Sequence, residues 1–229
     1  LKEPDFGSVV VIFAVASGML LLAGAKFWHF GLLVGAFIMA GVFLVITAPY
    51  RLRRVLSFLD PWDDPLNSDF QLSQALIAFG RGEWTGVGLG SSIQKLFYLP
   101  EAHTDFIFGV IGEEFGLLGT LATIVAISLL VICIIKIALS AKDTFSRYLG
   151  LGIAFWIGFQ SLINLASATS LIPVVGVTLP FLSYGGSSLL ALVGALGFVA
   201  GIALRNPELS KDFRFRFRLK ISAKKGAKR

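Results

Sequence analysis

Residues 115–135 read Phe115-Gly-Leu-Leu-Gly-Thr-Leu-Ala-Thr-Ile-Val-Ala-Ile-Ser-Leu-Leu-Val-Ile-Cys-Ile-Ile135, an apolar run without one charge. Crossing about 30 Å of hydrocarbon takes roughly 20 apolar residues as helix, so this run has the length and composition of a membrane span. Four more uncharged stretches of similar length lie at 6–25, 30–48, 148–172 and 183–204. None alternates apolar and polar residues over about ten positions, as the strands of a transmembrane barrel would. The expected fold is therefore all-α, a polytopic transmembrane helical bundle with five spans. The whole chain agrees: of 229 residues, 55% are hydrophobic and 15% charged, against about a quarter charged in a soluble domain. Its mean hydropathy is +0.81.

The net charge of +6 is unevenly spread, with 10 of the 20 basic residues in the last 25 positions. A basic end on an apolar body points to a membrane protein with a cytoplasmic tail rather than to a nucleic-acid binder. Two units follow, a transmembrane domain over 1–204 and a basic cytoplasmic tail over 205–229. With the tail inside, the inner side collects 14 basic residues and three acidic ones (Asp143, Glu208, Asp212), the outer side 6 basic and 11 acidic. Five spans then put Leu1 outside. No signal peptide precedes the first run, so the chain reads as the later part of a larger membrane protein. Cys133 is the only cysteine, which excludes an intrachain disulfide and a cysteine-based zinc site.

One connection differs from the rest. The extracytoplasmic loop 49–105 has 57 residues and carries 12 charges, and loops of this length are functional or disordered. Its aromatic content argues against disorder. Helical spacing of Phe70, Leu72, Leu76 and Phe79 predicts a short amphipathic helix over 68–79, lying at the membrane surface. Gly80, Gly82, Gly86, Gly88 and Gly90 follow, implying tight turns or close approach to a ligand. They are not a nucleotide-binding loop, since no Lys-Ser/Thr follows them and no strand precedes them.

Several residues of this region are candidates for chemistry. Arg51, Arg53 and Arg54 lie on the translocated side, against the orientation bias. They either bind an anionic group such as a phosphate, or snorkel to headgroups and pair with Asp60, Asp63 and Asp64. In Tyr98-Leu-Pro-Glu-Ala-His-Thr-Asp-Phe-Ile-Phe, Pro100 suits a first helical position, which puts Glu101 and Asp105 in the first two turns. A helix there would align Glu101, Asp105, Gly109, Gly112 and Gly116 on one face, with carboxylates above and small residues below. That face admits a second helix or a lipid chain, or is a capping acid over an ordinary packing seam. Glu113 and Glu114 lie deeper, where ionisable groups are paired or functional, with Arg51 or Arg54 as candidate partners. His103 reads as a polar interface residue, and no cluster has metal-ligand spacing. Gln160, Asn164 and Ser167 form a polar stripe suited to interhelical hydrogen bonds. Ser183-Tyr-Gly-Gly-Ser-Ser opens the last span flexibly, with backbone donors near Ser187 and Ser188 available to an anion.

Taken in order, these strings resemble the SEDS family of membrane glycosyltransferases, most closely its cell-division branch. The matching stretches are Pro4-Asp-Phe-Gly, Leu22-Ala-Gly-Ala-Lys, Pro49-Tyr-Arg-Leu-Arg-Arg-Val, Ala78-Phe-Gly-Arg-Gly-Glu-Trp, Gly88-Leu-Gly-Ser-Ser-Ile-Gln-Lys, the 98–108 string, Gly112-Glu-Glu-Phe-Gly and Leu179-Pro-Phe-Leu-Ser-Tyr-Gly-Gly-Ser-Ser. The resemblance covers 1–204. It implies a ten-span fold of which this chain is the second half.

It also implies a peptidoglycan glycosyltransferase, a hexosyltransferase that polymerises lipid II, the undecaprenyl-diphosphate-linked disaccharide precursor, during septal wall synthesis. The acid of the His-Thr-Asp-Phe string, here Asp105, is then the catalytic residue. Undecaprenyl diphosphate would leave as an anion, which needs positive charge rather than a general acid. Arg51, Arg54 and Lys95 are the candidates to supply it, with Glu101, Glu114, Ser187 and Ser188 as further substrate-binding residues. The resemblance suggests no tightly bound cofactor and no protein-held metal, only a loosely held divalent cation, magnesium or manganese. Its implied partners are a class B penicillin-binding protein and regulatory division proteins, at the septum of the bacterial inner membrane. Two rival readings are a lipid II flippase and a non-catalytic division scaffold. A flippase requires polar groups through the full bilayer depth, whereas the charges here gather at the outer surface.

Overall fold

The computed structural model describes residues 6–47, 58, 70–94 and 103–206. The described chain forms six helices: α1 (Phe6–Leu22), α2 (Phe27–Ile46), α3 (Phe70–Gly82), α4 (Ile107–Leu139), α5 (Thr144–Ala168) and α6 (Gly186–Arg205). There is no strand among the described residues. Four helices, α2, α4, α5 and α6, are long and apolar enough to cross a membrane, and α1 is a shorter apolar helix of 17 residues. The five expected spans therefore appear as four of full length and one short one. The helix ends follow local chemistry. Gly24 takes φ +91 just past α1, a left-handed conformation that a side chain disfavours. Asp143 caps α5 by accepting the Ser146 N–H at 2.8 Å.

Helix α5 is the centre of the bundle, packing against α4, α1 and α6. Its buried positions, from Gly150 through Ile153, Ala154, Ile157 and Gln160 to Ala168, recur every three or four residues, the spacing of one helical face. Ile153, Ala154 and Ile157 meet Ile134 of α4 and Leu192, Ala195 and Val199 of α6 in the inner cluster. In a bilayer the hydrophobic effect hardly drives such contacts; close packing of small residues does. Accordingly a Cβ on Gly150 would lie 2.6 Å from that of Ala138. Helix α2 buries no residue and leans on α1, where Phe13 and Phe37 stack with centroids 3.8 Å apart. At the end that the charge bias assigns to the cytoplasm, Asn206 Nδ2 donates to the Ser140 carbonyl at 2.9 Å, joining the α4–α5 turn to the end of α6.

The opposite end carries a second cluster, built from Ala75, Phe106, Phe108, Val110, Ala168 and Leu179. Here α4 departs from a simple span. Gly116 has φ 65 and ψ −158 inside it, so α4 is two limbs, 107–115 and 117–139. The second limb is about 34 Å long at 1.5 Å per residue, enough to cross hydrocarbon. The first limb is the seat of α3, an amphipathic helix formed as its spacing predicts that buries one face on protein. Its buried residues include Leu72, Ser73, Ala75, Ala78 and Gly82.

The glycine face of α4 is thereby filled. A Cβ on Gly109 would sit 3.7 Å from Ala75 Cβ, one on Gly112 within 2.4 Å of the Phe79 ring, and one on Gly116 within 2.5 Å of the Gly86 nitrogen. Helix α3 and the loop after it occupy the face, so of the two occupants expected there, a second helix or a lipid chain, it is the helix. The expected run of helix from Pro100 is corrected too. Helix α4 starts at Ile107 with Phe106 as its N-cap, and Asp105 lies in a turn over 103–106.

Candidate functional site

Two short segments meet at the outer end, the 103–106 turn and the α5–α6 connection. Three consecutive carbonyls of the turn are held. Tyr184 N donates to His103 O at 2.7 Å, Ser183 Oγ to Thr104 O at 2.5 Å, and Asn164 Nδ2 to Asp105 O at 2.8 Å. The same Asn164 amide reaches Val177 O at 2.6 Å, and Ser183 Oγ also accepts the Leu179 N–H at 2.7 Å. The polar stripe of α5 thus pins loop backbone rather than another helix. Gln160 Nε2 donates to Thr178 O at 2.9 Å, and Ser167 Oγ accepts the Val175 N–H at 3.3 Å. The entry to α6, expected to be flexible, is fixed on both sides of Ser183.

This fastening leaves the Asp105 side chain half-buried and facing Gly176, where a Cβ would stand 3.6 Å from Oδ2. Gly176 has φ +76, so the loop turns tightly against the acid. Phe181, five residues on, is non-glycine with φ 66, a conformation that persists only when its surroundings enforce it. Open cavities flank the loop. One of about 560 Å³ is lined by His103, Ile107 and the stretch from Leu182 to Gly186. The other, of about 390 Å³, is lined by Gly176, Thr178, Gln160, Trp156 and Ser188, with α1 on its far side. Both fall in the size range of ligand clefts.

The other predicted site residues are distributed as follows. Ser188 lines the 390 Å³ cavity with Gly176, while Ser187 is exposed at the start of α6. Glu114 is buried on the first limb of α4, its carbonyl accepting the Gly88 N–H at 3.1 Å. Arg51, Arg54, Lys95 and Glu101 lie outside the described residues. Among the described residues, no three His, Cys, Asp or Glu side chains come together to hold a metal ion.

Glu113 is fully buried, and Arg81 of α3 pairs with it, Nη1 to Oε1 at 3.0 Å; Arg51 and Arg54, the partners expected from the sequence, lie outside the described residues. Ser92 Oγ donates to the other carboxylate oxygen. A buried acid demands a cation, but sequence separation does not say which. The available signal was Arg81 itself, placed in the last turn of an amphipathic helix. Gly82 and Gly86 after it serve close approach to α4, where a Cβ would lie 1.8 Å from the Gly112 carbonyl oxygen and 2.1 Å from that of Glu114, and Val87 N bonds Glu113 O and Leu117 N bonds Glu83 O, both at 2.9 Å.

A multi-pass helical membrane protein whose bundle holds the backbone of the Asp105 turn at one end is the class that this fold and site define. The model of the FtsW/RodA/SpoVE cell cycle protein family matches residues 1–207, and the chain belongs to that family. It is 56% identical over 202 residues to a probable peptidoglycan glycosyltransferase FtsW of Methylococcus capsulatus, covering 87% of this chain and 51% of the relative. The corresponding protein of Nitrosococcus halophilus is 50% identical over 219 residues, covering 92% and 56%. The chain thus spans about half the length of the curated relatives it matches. Among solved structures, a chain described under the structural coordination of polymerization and crosslinking by a peptidoglycan synthase complex aligns with TM-score 0.65. It is 32% identical, over 86% of this chain and 55% of that one. A point mutant of the Thermus thermophilus rod shape determining protein RodA aligns with TM-score 0.55 and 27% identity, over 86% and 49%.

Proposed function

We propose that the protein containing this chain is a peptidoglycan glycosyltransferase that polymerises lipid II, with Asp105 as general base. The observation that carries this reading is the clamping of the Asp105 turn by Asn164, Ser183 and Tyr184 beside two outward cavities. The acceptor sugar hydroxyl must lose its proton as it attacks the anomeric carbon, and a positioned carboxylate can take it. The anomeric carbon–oxygen bond then breaks, and undecaprenyl diphosphate leaves with the bonding pair. A diphosphate departs as an anion, so the second carboxylic acid that glycosidases use to protonate a sugar leaving group has no counterpart to perform here. Cations take its place, and Arg51, Arg54 and Lys95 are assigned that work. Single displacement inverts the anomeric centre.

Substrate contacts in this reading include Ser188 in the cavity beside Gly176, together with Ser187, Glu101 and Glu114. A loosely held magnesium or manganese ion would share the diphosphate charge with the arginines, its ligands coming chiefly from substrate. The protein would act in the bacterial inner membrane at the septum, beside a class B penicillin-binding protein and regulatory division proteins. The homology to named FtsW glycosyltransferases and to a peptidoglycan synthase complex supports the glycosyltransferase reading and a partner in peptidoglycan synthesis.

The test is polymerisation of labelled lipid II by the full-length protein in proteoliposomes. Asp105→Asn, inserted normally, is expected to lose activity by about 10²–10⁴-fold, the range of a general base. Wild-type polymerisation by that variant would refute the assignment, and translocation of lipid II without glycan synthesis by the wild type would favour a flippase. Arg54→Gln is expected to weaken lipid II binding; unchanged affinity would return the arginines to headgroup anchoring.

A further inference from the structure

The connection between α5 and α6 is a re-entrant segment. Residues 171–185 contain no helix, and they do not stay at the outer end of the bundle. Ser167 Oγ accepts the Val175 N–H, Asn164 Nδ2 donates to Val177 O, and Gln160 Nε2 donates to Thr178 O. From Ser167 to Gln160 the segment follows α5 inward over seven positions, about 10 Å of helix. Phe181 goes on to pack against the inner cluster of Ile153, Ile157 and Leu192. At Ser183 and Tyr184 the segment is back on the 103–106 turn.

Non-helical backbone at membrane depth is stable only where protein buries it or where it borders water. Val177 and Leu179 are buried. Gly176 is exposed, and the cavity of about 390 Å³ opens beside it. Ser8, Gln160, Thr178 and Ser188 line that cavity, four side chains able to hydrogen-bond, together with one large aromatic, Trp156. Trp156 lies one turn inward of Gln160, is half-buried and also packs against the inner cluster. A few polar groups around an aromatic surface suit a ligand that is polar at its rim and apolar on its faces. A pyranose ring is such a ligand, with hydroxyls around its edge and C–H groups above and below. The groove of about 480 Å³ lined by Pro180, Phe181 and Leu182 is different: its one polar side chain is Thr123, whose hydroxyl is engaged by the Gly119 carbonyl at 2.9 Å.

We infer that the 390 Å³ cavity is the site of the acceptor sugar, with Trp156 as the surface on which the ring lies. The inference rests on the proposed role of Asp105. Gly176 is the wall common to the cavity and the acid, since it lines the one and a Cβ on it would stand 3.6 Å from Oδ2 of the other. A general base must lie within hydrogen-bond reach of the hydroxyl that it deprotonates. The sugar that bears the attacking hydroxyl therefore belongs on the Gly176 side of the loop. Trp156 is a substrate-binding residue in this arrangement and takes no part in proton transfer.

The experiment uses full-length protein in proteoliposomes, following kcat and KM for lipid II, the melting temperature, and tryptophan emission during titration with the lipid-free disaccharide of lipid II. Trp156→Leu is expected to raise KM roughly tenfold, the order of a lost aromatic contact in a pocket, with little change in kcat. Trp156→Phe, which keeps a ring face, is expected to recover most of that loss. Ile12 lines the same cavity from α1 and is 68% exposed, so Ile12→Trp adds bulk to the cavity without disturbing a core and is expected to raise KM in the same way. The disaccharide is expected to shift the emission of wild type and not that of Trp156→Phe. Wild-type KM in both folded Trp156→Leu and Ile12→Trp would overturn the inference, as would a loss confined to kcat, a wild type whose emission does not respond, or a shift that survives in Trp156→Phe. Should Trp156→Leu fail to fold, Ile12→Trp and the titration decide. Asp105→Asn run in parallel separates the two readings, because it is expected to be inactive and still to show the shift. Full activity of Asp105→Asn overturns the base assignment; inactivity beside wild-type KM in Trp156→Leu and Ile12→Trp overturns the sugar site alone.

Discussion

The amide of Leu117 donates to the carbonyl of Glu83 at 2.9 Å, so the membrane-crossing limb of α4 starts its hydrogen bonding on a different segment of chain. Leu118 does the same with the Trp84 carbonyl at 3.2 Å. A broken helix leaves unsatisfied N–H groups at the start of one piece and carbonyls at the end of the other. In an apolar setting each would be costly. The loop over 83–88 supplies both sets of partners, which is how a long, otherwise apolar helix can turn sharply without losing its backbone bonds.

Gly116→Ala is expected to destabilise the protein. Its φ of 65 and ψ of −158 are essentially closed to L side chains, at about 1–3 kcal/mol. The new Cβ would also lie 2.5–2.7 Å from backbone atoms of Trp84, Thr85 and Gly86. Thermal unfolding of the detergent-solubilised protein should show a lower melting temperature, and an unchanged one would contradict the account of the break.

Asn164→Ala removes both bonds from one buried amide and leaves the carbonyls of Asp105 and Val177 without it. About 1–3 kcal/mol is the expected cost of such orphaned groups. Lipid II polymerisation should fall roughly tenfold, the scale of 1.4 kcal/mol in a rate, in protein that still inserts and folds. Full activity would mean that the turn holds Asp105 without the α5 contact.

Ser183→Ala separates the α6 entry from the turn that carries Asp105, because Ser183 Oγ bridges the Leu179 N–H and the Thr104 carbonyl. Activity should decline together with hydrogen-exchange protection of Leu179 and Tyr184. Protection that stays at wild-type level would show the bridge to be dispensable.

Asp143 gives the fold a local acid sensitivity at the cytoplasmic end. Its carboxylate accepts the Ser146 N–H and hydroxyl, which hold its pKa below the ordinary 3.8, with Arg205 adding to the shift. A depressed pKa stabilises the folded state above the ordinary value, and the contribution disappears as pH falls through the lowered one. Asp143→Ala should therefore melt lower than wild type at pH 7, with the gap unchanged down to about pH 5 and closing below about pH 4. A gap that persists in acid would assign the effect to something other than the charge.

The sequence by itself determined the helical class and the spans, and its charge bias is what assigns them an orientation. Each depends on what lipid and water do to a segment taken alone. An uncharged run such as 115–135 is driven into the bilayer wherever its neighbours lie, and the basic residues near Arg205 keep their side by electrostatics alone. Asp105 was singled out in another way, by the resemblance of the short string around it to a family motif. The glycine cluster after α3 was legible as unusual, though its purpose was not.

Only the tertiary structure decided which groups meet. Arg81 reaches Glu113; Asn164 reaches back 59 positions to the Asp105 carbonyl; and α3 fills the glycine face of α4. The outer end of this protein is built from polar contacts between distant segments. Such contacts depend on distances of about 3 Å, set by where Gly116 breaks α4 and how closely two glycine-bearing backbones approach. Hydropathy and spacing carry no information about that approach, because both describe one segment at a time.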